Sequence, residues 1–211
     1  MVISFVISAV LGYLIGSVNT SIVLSRLKNN DIRKHGSGNA GATNTLRVMG
    51  KTAAAVVVIG DALKAVISIL LSYFIAKGLN LGEETATYCK YIAAFFTVIG
   101  HNFPIYFGFK GGKGILTSVT VIFMLDWRIG IMVLLVGVIL IALTKYVSVG
   151  SIAGCILYPL FCIAFYSGAS PVYKKMQIVL ASVLGIIGIL RHSSNIKKLL
   201  SGTESKLGSK K

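Results

Sequence analysis

A stretch of glycines and short polar side chains, GSGNAGATNTLR, occupies residues 36–47. Glycine lets backbone N–H groups turn toward one point, and serine, threonine and asparagine add small donors with little bulk. Backbone nests and helix N-termini hold phosphate in this way, and an arginine adds charge and paired hydrogen bonds. The stretch is therefore interpreted as an anion cradle. The alternative is a flexible loop that only joins two helices.

Three further segments carry small polar donors, and two of them carry cations. They are FKGGKG at 109–114, YVSVGS at 146–151 and RHSSN at 191–195. Each alone is ambiguous, because glycines let helices pack, lysines anchor helix ends and serines cap helices. FKGGKG lacks the spacing of a Walker nucleotide-binding loop. The recurrence of such segments favours a shared anion site over coincidence.

Carboxylates are scarce in this chain, with 6 Asp and Glu against 21 Lys and Arg. A Mg²⁺-dependent phosphoryl transferase holds its metal with carboxylates, and a hydrolase triad places an acid behind its histidine. Neither cluster is present in the sequence. His192 can either act in catalysis or simply satisfy carbonyl oxygens at a helix end. The remaining donors suit a substrate that brings its own phosphate and a good leaving group.

The composition is that of an integral membrane protein. Mean hydropathy is +0.83, and charged residues make up 13% of the chain, against about 25% in soluble domains. Long apolar runs separated by basic clusters indicate an all-α, polytopic membrane protein rather than a β-barrel. We expect one domain over residues 1–211, with a basic tail. The net charge of +15 can orient the chain, attract anionic lipid or bind an anionic substrate, and no nucleic-acid-binding module is recognisable.

Seven transmembrane helices are predicted, with the N-terminus outside and the C-terminus in the cytoplasm. The first three cover residues 2–24, 53–76 and 91–109, and the third is expected to break open near Pro104. Asp61 and Lys64, at i and i+3, are expected to form an internal ion pair, the alternative being the wall of a polar cavity.

The run at 115–143 is longer than one crossing needs. Lysines in the C-terminal tail favour two short helices that turn at Asp126–Arg128, since basic residues prefer the cytoplasmic side. The first of these, 115–125, is short for a full crossing at about 1.5 Å per residue. The last two helices are predicted at 151–166 and 176–190, with an outer loop at 168–174. This topology places all four polar segments on the cytoplasmic face.

In their order along the chain, GSGNAGATNTLR, GHNFPIYFGFKGGKG, YVSVGS and RHSSN resemble the signature segments of the bacterial acyl-phosphate:glycerol-3-phosphate acyltransferases. A GS pair at Gly16 and Ser17 precedes them. The resemblance implies a seven-helix enzyme of the inner membrane that moves a fatty acyl group from acyl phosphate to the 1-hydroxyl of sn-glycerol 3-phosphate. The products would be lysophosphatidic acid and phosphate, in phospholipid biosynthesis.

The resemblance also implies no metal, no other cofactor, and neither acyl-CoA nor acyl carrier protein as direct donor. The expected partners are glycerol 3-phosphate, acyl phosphate, membrane lipid and the neighbouring acyltransferases of phospholipid synthesis. Mapped by motif and composition, the site residues form two sets. The catalytic set is Arg47, Lys113, Ser151, His192 and Asn195, and the substrate- and phosphate-binding set is Ser37, Gly38, Asn39, Gly41, Thr43, Asn44, Gly111 and Gly112.

Two positions depart from the family pattern. Asn19 stands where the family often has proline, and Leu116 where it usually has a small residue. We expect acyl phosphate to bind the first segment, and glycerol 3-phosphate to bind near Arg47, Lys113 and His192. Either the donor phosphate or His192 takes the hydroxyl proton. The rival function is a transporter for a phosphorylated metabolite, which also uses broken helices and cationic loops. A scaffold would explain none of the four segments.

Overall fold

The chain folds into α-helices joined by short connections. The computed structural model describes residues 1–166 and 170–208, and no β-strand occurs in those ranges, which confirms the all-α prediction for them. The helices are α1 (Val2–Ser17), α2 (Thr20–Leu27), α3 (Ala42–Met49), α4 (Lys51–Gly78), α5 (Gly82–Asn102), α6 (Ile115–Leu125), α7 (Trp127–Thr144), α8 (Val147–Phe165), α9 (Pro171–Arg191) and α10 (Ser193–Leu200). Short 3-10 turns occupy Ile32–Lys34 and Ile105–Phe107.

The helices group into two compact units, Met1–Met124 and Leu125–Lys211. Within the described ranges, five segments are long and apolar enough to cross a membrane: α1 with α2, then α4, α7, α8 and α9. Large apolar side chains such as Leu135, Ile139 and Leu143 on α7 lie exposed, which suits contact with lipid. The prediction of one domain over the whole chain is neither confirmed nor contradicted by this grouping.

In the first unit, α5 packs against both α1 and α4. Glycines allow the backbones of α1 and α5 to approach closely, because a Cβ at Gly16 would collide with the backbone of Thr97. A Cβ at Gly100 would collide in turn with the carbonyl oxygen of Tyr13. On the other side of α5, the hydroxyls of Ser68 and Thr97 are 2.6 Å apart. Small residues at such contacts are typical of helix packing in membranes.

In this unit, α1 and α5 each end where a specific residue interrupts the helix. The predicted helix at 2–24 is wrong as a continuous element, because Val18 and Asn19 are extended and separate α1 from α2. Asn19 begins α2 by accepting a hydrogen bond from the N–H of Ile22 at 3.1 Å. The predicted break at the end of the third crossing is confirmed, since α5 stops at Asn102, before Pro104. Proline disfavours a helical conformation in the residue before it.

The second unit contains the predicted turn between two helices. Asp126 begins α7, where its carboxylate accepts a hydrogen bond from the N–H of Arg128 at 3.1 Å. The prediction that the run at 115–143 splits here is therefore confirmed. An aspartate at this position satisfies one of the unpaired N–H groups of the first turn.

The boundaries of α8 and α9 differ from the predicted ones. Helix α8 starts at Val147 instead of residue 151, and α9 starts at Pro171 instead of residue 176. The segment YVSVGS is thus the first turn of a helix rather than a loop, and residues 171–174 of the predicted outer loop are helical. Proline is favoured at the first helical position because its missing N–H has no partner there in any case. The remaining part of that loop, at 168–169, and the tail lysines Lys210 and Lys211 lie outside the described residues.

The glycine contact between α1 and α5 predicts a large effect of a single added methyl group. In Gly100→Ala the new Cβ must push against the Tyr13 carbonyl, so we expect a loss of about 1–3 kcal/mol in the free energy of unfolding. Gly78→Ala, at the end of α4, is the matched control because a Cβ there meets nothing within 4 Å. Thermal unfolding in detergent measures both. Equal unfolding temperatures for the two variants would contradict the close contact.

Candidate functional site

The first glycine-rich stretch is a short loop that leads into helix α3. Three of its backbone N–H groups donate within the loop itself. The N–H of Ser37 donates to the Asn44 side chain at 2.8 Å, that of Gly38 to the His35 carbonyl at 3.0 Å, and that of Gly41 to the Asn39 carbonyl at 3.2 Å. These three amides therefore help to shape the loop.

Asn44 shapes this loop from inside. Its side chain is buried, accepts the Ser37 N–H and donates to the carbonyl oxygens of Ile32 at 3.2 Å and His35 at 3.0 Å. Gly36, with φ of +58°, lies directly against the Asn44 amide. The sequence predicts a phosphate-binding role for Asn44, which stays a prediction, and in the structure its side chain also holds the loop in shape.

Helix α3 supplies donors that the loop does not use. Gly41 stands at its N-cap and has no side chain to accept from the first-turn N–H groups. Thr43 and Arg47 are one turn apart and half-buried, so they share a helix face. Thr45 points elsewhere, because its hydroxyl is 2.7 Å from that of Ser21. An uncapped helix N-terminus favours an anion, and Arg47, in the last turn of α3, adds a cation on the face of Thr43.

The second glycine-rich segment packs directly on the first. A Cβ at Gly112 would collide with the ring of His101 and with the Ala40 carbonyl. The N–H groups of Gly111 and Gly112 donate to the carbonyl oxygens of Asn102 and His101, both at 3.2 Å. The structure therefore gives these two glycines a packing role. It also places Lys113, which is half-buried, next to the contact with Ala40.

Two residues absent from the predicted site hold these segments together. Arg33 forms an ion pair with Asp31 at 2.7 Å and donates to the carbonyl oxygens of Phe107 at 2.9 Å and Lys110 at 3.1 Å. Asn19 donates to the Ala40 carbonyl at 3.2 Å. The short spacing of Asp31 and Arg33 was a readable signal for their pairing. Nothing in the sequence indicated the reach of Arg33 to residues 107 and 110.

The hydrogen bond from Arg33 changes the acidity of its partner. It is the largest of several effects that lower the pKa of Asp31 from 3.8 to about 2. The guanidinium contacts both carboxylate oxygens, at 2.9 Å and 2.7 Å, which is the paired geometry that binds carboxylates well. Asp31 is thus ionised at any physiological pH and keeps Arg33 in place.

The predicted ion pair between Asp61 and Lys64 is present. The Lys64 ammonium lies 2.9 Å from a carboxylate oxygen of Asp61, and both side chains are buried. The same carboxylate oxygen accepts a hydrogen bond from the Thr20 hydroxyl at 3.0 Å. This confirms the interpretation of an internal pair that joins α4 to its neighbours.

The second unit contains Ser151, His192 and Asn195. The Asn195 amide donates to Glu204 at 2.8 Å, and the Ser148 hydroxyl donates to the same carboxylate oxygen at 2.9 Å. The Ser151 hydroxyl donates within α8 to the Val147 carbonyl at 3.0 Å. Sequence reasoning missed Glu204 as a partner of these segments. Its only signal was that it is a lone carboxylate in a lysine-rich tail.

His192 is buried at the junction of α9 and α10. Its Nδ1 lies 2.7 Å from the Gly188 carbonyl oxygen, one turn back in α9. A carbonyl oxygen can only accept, so Nδ1 carries a proton in this contact. This contact with a helix-end carbonyl is the one expected for a purely structural histidine. The same contact fixes the orientation of the ring, and with it the position of Nε2.

Comparison with known proteins gives consistent results over nearly the whole chain. A family model described as glycerol-3-phosphate acyltransferase matches residues 6–202. A glycerol-3-phosphate acyltransferase of Clostridioides difficile (strain 630) is 42% identical over 211 residues, which cover 100% of this chain and 98% of that protein. One from Thermoanaerobacter sp. (strain X514) is 44% identical over 206 residues, covering 97% and 96% of the two chains.

Two solved structures share the fold. Both are of PlsY (YgiH), described as an integral membrane glycerol 3-phosphate acyltransferase. Its glycerol 3-phosphate form superposes with a TM-score of 0.81 at 33% identity, and its lysophosphatidic acid form with a TM-score of 0.78 at 32% identity. Each covers 97% of this chain and 96% of the solved chain.

The Asp31–Arg33 pair predicts an acid-dependent contribution to stability. Because the folded pKa of Asp31 is lowered to about 2, the pair stabilises the protein above pH 3.8 and loses this effect as the pH falls toward 2. Asp31→Asn and Arg33→Gln should therefore each reduce the unfolding temperature at neutral pH, and their difference from the unmodified protein should shrink between pH 4 and 2. Thermal unfolding as a function of pH measures this. A difference that stays constant with pH would contradict the pairing.

Proposed function

Because this chain belongs to the glycerol-3-phosphate acyltransferase family, we propose that it transfers a fatty acyl group from acyl phosphate to the 1-hydroxyl of sn-glycerol 3-phosphate. The products are lysophosphatidic acid and inorganic phosphate. Both proposed substrates carry a phosphate, and the uncapped N-terminus of α3 together with Arg47 and Lys113 offers hydrogen bonds and positive charge to such groups. The acyl-phosphate donor is supported by the sequence resemblance and by the scarcity of carboxylates around the glycine-rich segments.

One observation carries this proposal: the two cationic glycine-rich segments meet at Gly112 and Ala40. The contact brings the second segment, with Lys113, against the loop that leads into α3 and Arg47. A helix N-terminus and two cations can hold dianionic phosphates by charge and by hydrogen bonds. We assign acyl phosphate to the first turn of α3 with Ser37, Asn39 and Thr43, and glycerol 3-phosphate to the neighbourhood of Arg47 and Lys113.

The reaction needs little chemical activation from the protein, because acyl phosphate is already an activated acyl group. The 1-hydroxyl oxygen attacks the acyl carbonyl carbon, a new C–O ester bond forms, and the bond to the phosphate oxygen breaks. Catalysis then rests on orientation of the two substrates and on cations that stabilise the oxyanion and the departing phosphate. The hydroxyl proton passes to the departing phosphate, and the resemblance makes the ring of His192 the rival acceptor. The sequence resemblance supports the proposal that Ser151 and Asn195 belong to the catalytic set.

The membrane topology extends this proposal. Five segments of the described ranges are suited to crossing, and α5 and the short α6 complete a count of seven. Basic residues around the first glycine-rich segment and in the tail favour a cytoplasmic location for both, with the N-terminus outside. The site then faces the cytoplasm from the inner membrane, and the fatty chain reaches it from the lipid. Association with the enzymes that supply acyl phosphate and use lysophosphatidic acid fits this placement.

The cationic residues give the first test. Arg47→Ala and Lys113→Ala should each lower the rate of acyl transfer by about 100-fold or more, since removal of one transition-state donor costs this much. Lys110→Ala is the matched control, because Lys110 lies in the same segment but is exposed and is assigned no role. Rates are measured with purified protein, glycerol 3-phosphate and palmitoyl phosphate. Full activity in both site variants would contradict the site assignment.

The identity of the donor is tested with the same protein. Palmitoyl phosphate, palmitoyl-CoA and palmitoyl acyl carrier protein are offered separately with glycerol 3-phosphate, in the presence of a metal chelator. We expect lysophosphatidic acid from palmitoyl phosphate alone. Product from the thioesters alone would overturn the acyl-phosphate assignment, although the family would stand.

His192→Ala separates the two proton acceptors. If His192 is the base, the rate of the unmodified enzyme falls on the acidic side as the ring is protonated, and the variant lacks this limb. If the departing phosphate takes the proton, the variant is slower but its pH profile keeps its shape, which is the outcome we expect. His35→Ala, an exposed histidine near the first glycine-rich segment, serves as control and should match the unmodified enzyme. A variant profile without its acidic limb would refute phosphate as acceptor.

A further inference from the structure

Beneath the meeting point of the two glycine-rich segments lies a buried polar cluster around Lys64. Its ammonium nitrogen is 2.9 Å from Asp61 Oδ1, 2.9 Å from the Val18 carbonyl oxygen and 2.8 Å from Nδ1 of His101. The exposed fractions are 1% for Asp61, 6% for Lys64 and 3% for His101. A lysine ammonium has three protons, so this one has a different acceptor for each.

A charged Lys64 beside Asp61 favours a neutral His101. A charged His101 would place two cations 2.8 Å apart next to a single buried carboxylate, which leaves a net buried charge at high cost. Nδ1 is also 3.9 Å from Asp61 Oδ1, too far for a hydrogen bond, so its partner is Lys64. As an acceptor from the ammonium, Nδ1 bears no proton, and the proton of the neutral ring is on Nε2.

The other edge of the ring faces the catalytic segments. Gly112 lies against His101 Nε2 and Cδ2 and against the Ala40 carbonyl. The backbone of His101 also accepts from the Gly112 N–H at 3.2 Å. Through the ring, the Lys64 ammonium is therefore connected to the segment that carries Lys113 and to the loop that precedes α3. Through the Val18 carbonyl it is connected to the break between α1 and α2.

We propose that Lys64 and His101 are positioning residues for acyl transfer: the buried ammonium holds His101 as the Nε2–H tautomer, and that ring sets the spacing between Gly112 and Ala40. The inference deepens the proposed function and rests on it. Neither side chain touches substrate. They act through the two glycine-rich segments, whose separation determines how far Lys113 stands from the N-terminus of α3. Misplacement of catalytic groups by about 1 Å can cost 100-fold in rate.

A paired variant removes the ammonium without leaving a lone buried charge. Asp61→Asn with Lys64→Gln keeps hydrogen-bonding groups of similar size, and the loss of both charges together is far less disruptive than the loss of one. Lys77→Gln is the matched control, because Lys77 lies on the same helix but is exposed and paired with Glu83. His101→Asn is a second variant that keeps an acceptor near the position of Nδ1 and lacks the ring edge at Gly112.

Three quantities are measured on the full-length protein: the unfolding temperature, kcat and KM with palmitoyl phosphate and glycerol 3-phosphate, and the ¹⁵N spectrum of labelled histidines. In the unmodified protein we expect His101 to be neutral with its proton on Nε2. In the paired variant we expect this single tautomer to be lost and kcat to fall about 10-fold or more in protein that still unfolds cooperatively. His101→Asn should lower kcat similarly, and Lys77→Gln should leave all three quantities unchanged.

The outcomes separate this inference from a purely structural role. A His101 ring with its proton on Nδ1, or a charged ring, would overturn the proposed contact with Lys64. An unchanged kcat in folded paired variant, despite a changed tautomer, would overturn the positioning role. If the unmodified protein transfers no acyl group from any donor, the proposed function fails instead, and the ¹⁵N spectrum still decides the Lys64–His101 contact.

Discussion

The two glycine-rich segments come together because no side chain stands between them. Gly112 fills a space bounded by the His101 ring and the Ala40 carbonyl, and even a methyl group would not fit. Gly111 is similarly pressed against the carbonyl oxygen of His101 and Pro104. Glycine is the residue that permits such close backbone approach. Separation of these segments would remove the contact that places Lys113 beside the loop before α3.

Judged by composition, the glycine-rich segments offer many N–H donors to a ligand. In the packed structure several of these N–H groups already donate to other atoms of the protein. The amides of Gly38, Gly41, Gly111 and Gly112 donate to carbonyl oxygens of the protein, and the Asn44 side chain bonds to the Ser37 N–H and to the carbonyl oxygens of Ile32 and His35. The first turn of α3, which has no side-chain cap, offers N–H donors to a substrate, and the cationic side chains add positive charge. A site of this kind can orient and neutralise phosphates, which is what an already activated acyl donor requires.

Interrupted helices in an apolar protein leave backbone groups that need partners, because lipid supplies none. In the first unit, polar side chains meet this need at two interruptions. Asn19 begins α2 and contacts Ala40, and Lys64 binds the Val18 carbonyl at the same break. At the second interruption, which follows α5, Arg33 donates to the carbonyl oxygens of Phe107 and Lys110. The polar side chains of this unit thus secure the irregular backbone from which the candidate site is built.

Local patterns in the sequence were sufficient to predict several features that the structure confirms. The apolar runs indicated an all-α membrane protein, Pro104 indicated the end of α5, and the i, i+3 spacing indicated the Asp61–Lys64 pair. These features depend on residues within a turn or two of one another, so short-range periodicity and propensity determine them. The motifs likewise predicted the family that the comparisons show.

Only the tertiary structure decided which polar groups form hydrogen bonds within the protein. The contacts of Arg33 with residues 107 and 110, of Lys64 with His101, and of Glu204 with Ser148 join positions far apart in sequence. No local pattern encodes such pairs, because they arise only when helices pack and bring distant polar atoms within hydrogen-bond distance. For the same reason, the sequence by itself determined that GSGNAGATNTLR is rich in anion donors. Only packing decided that many of them are already bonded within the protein.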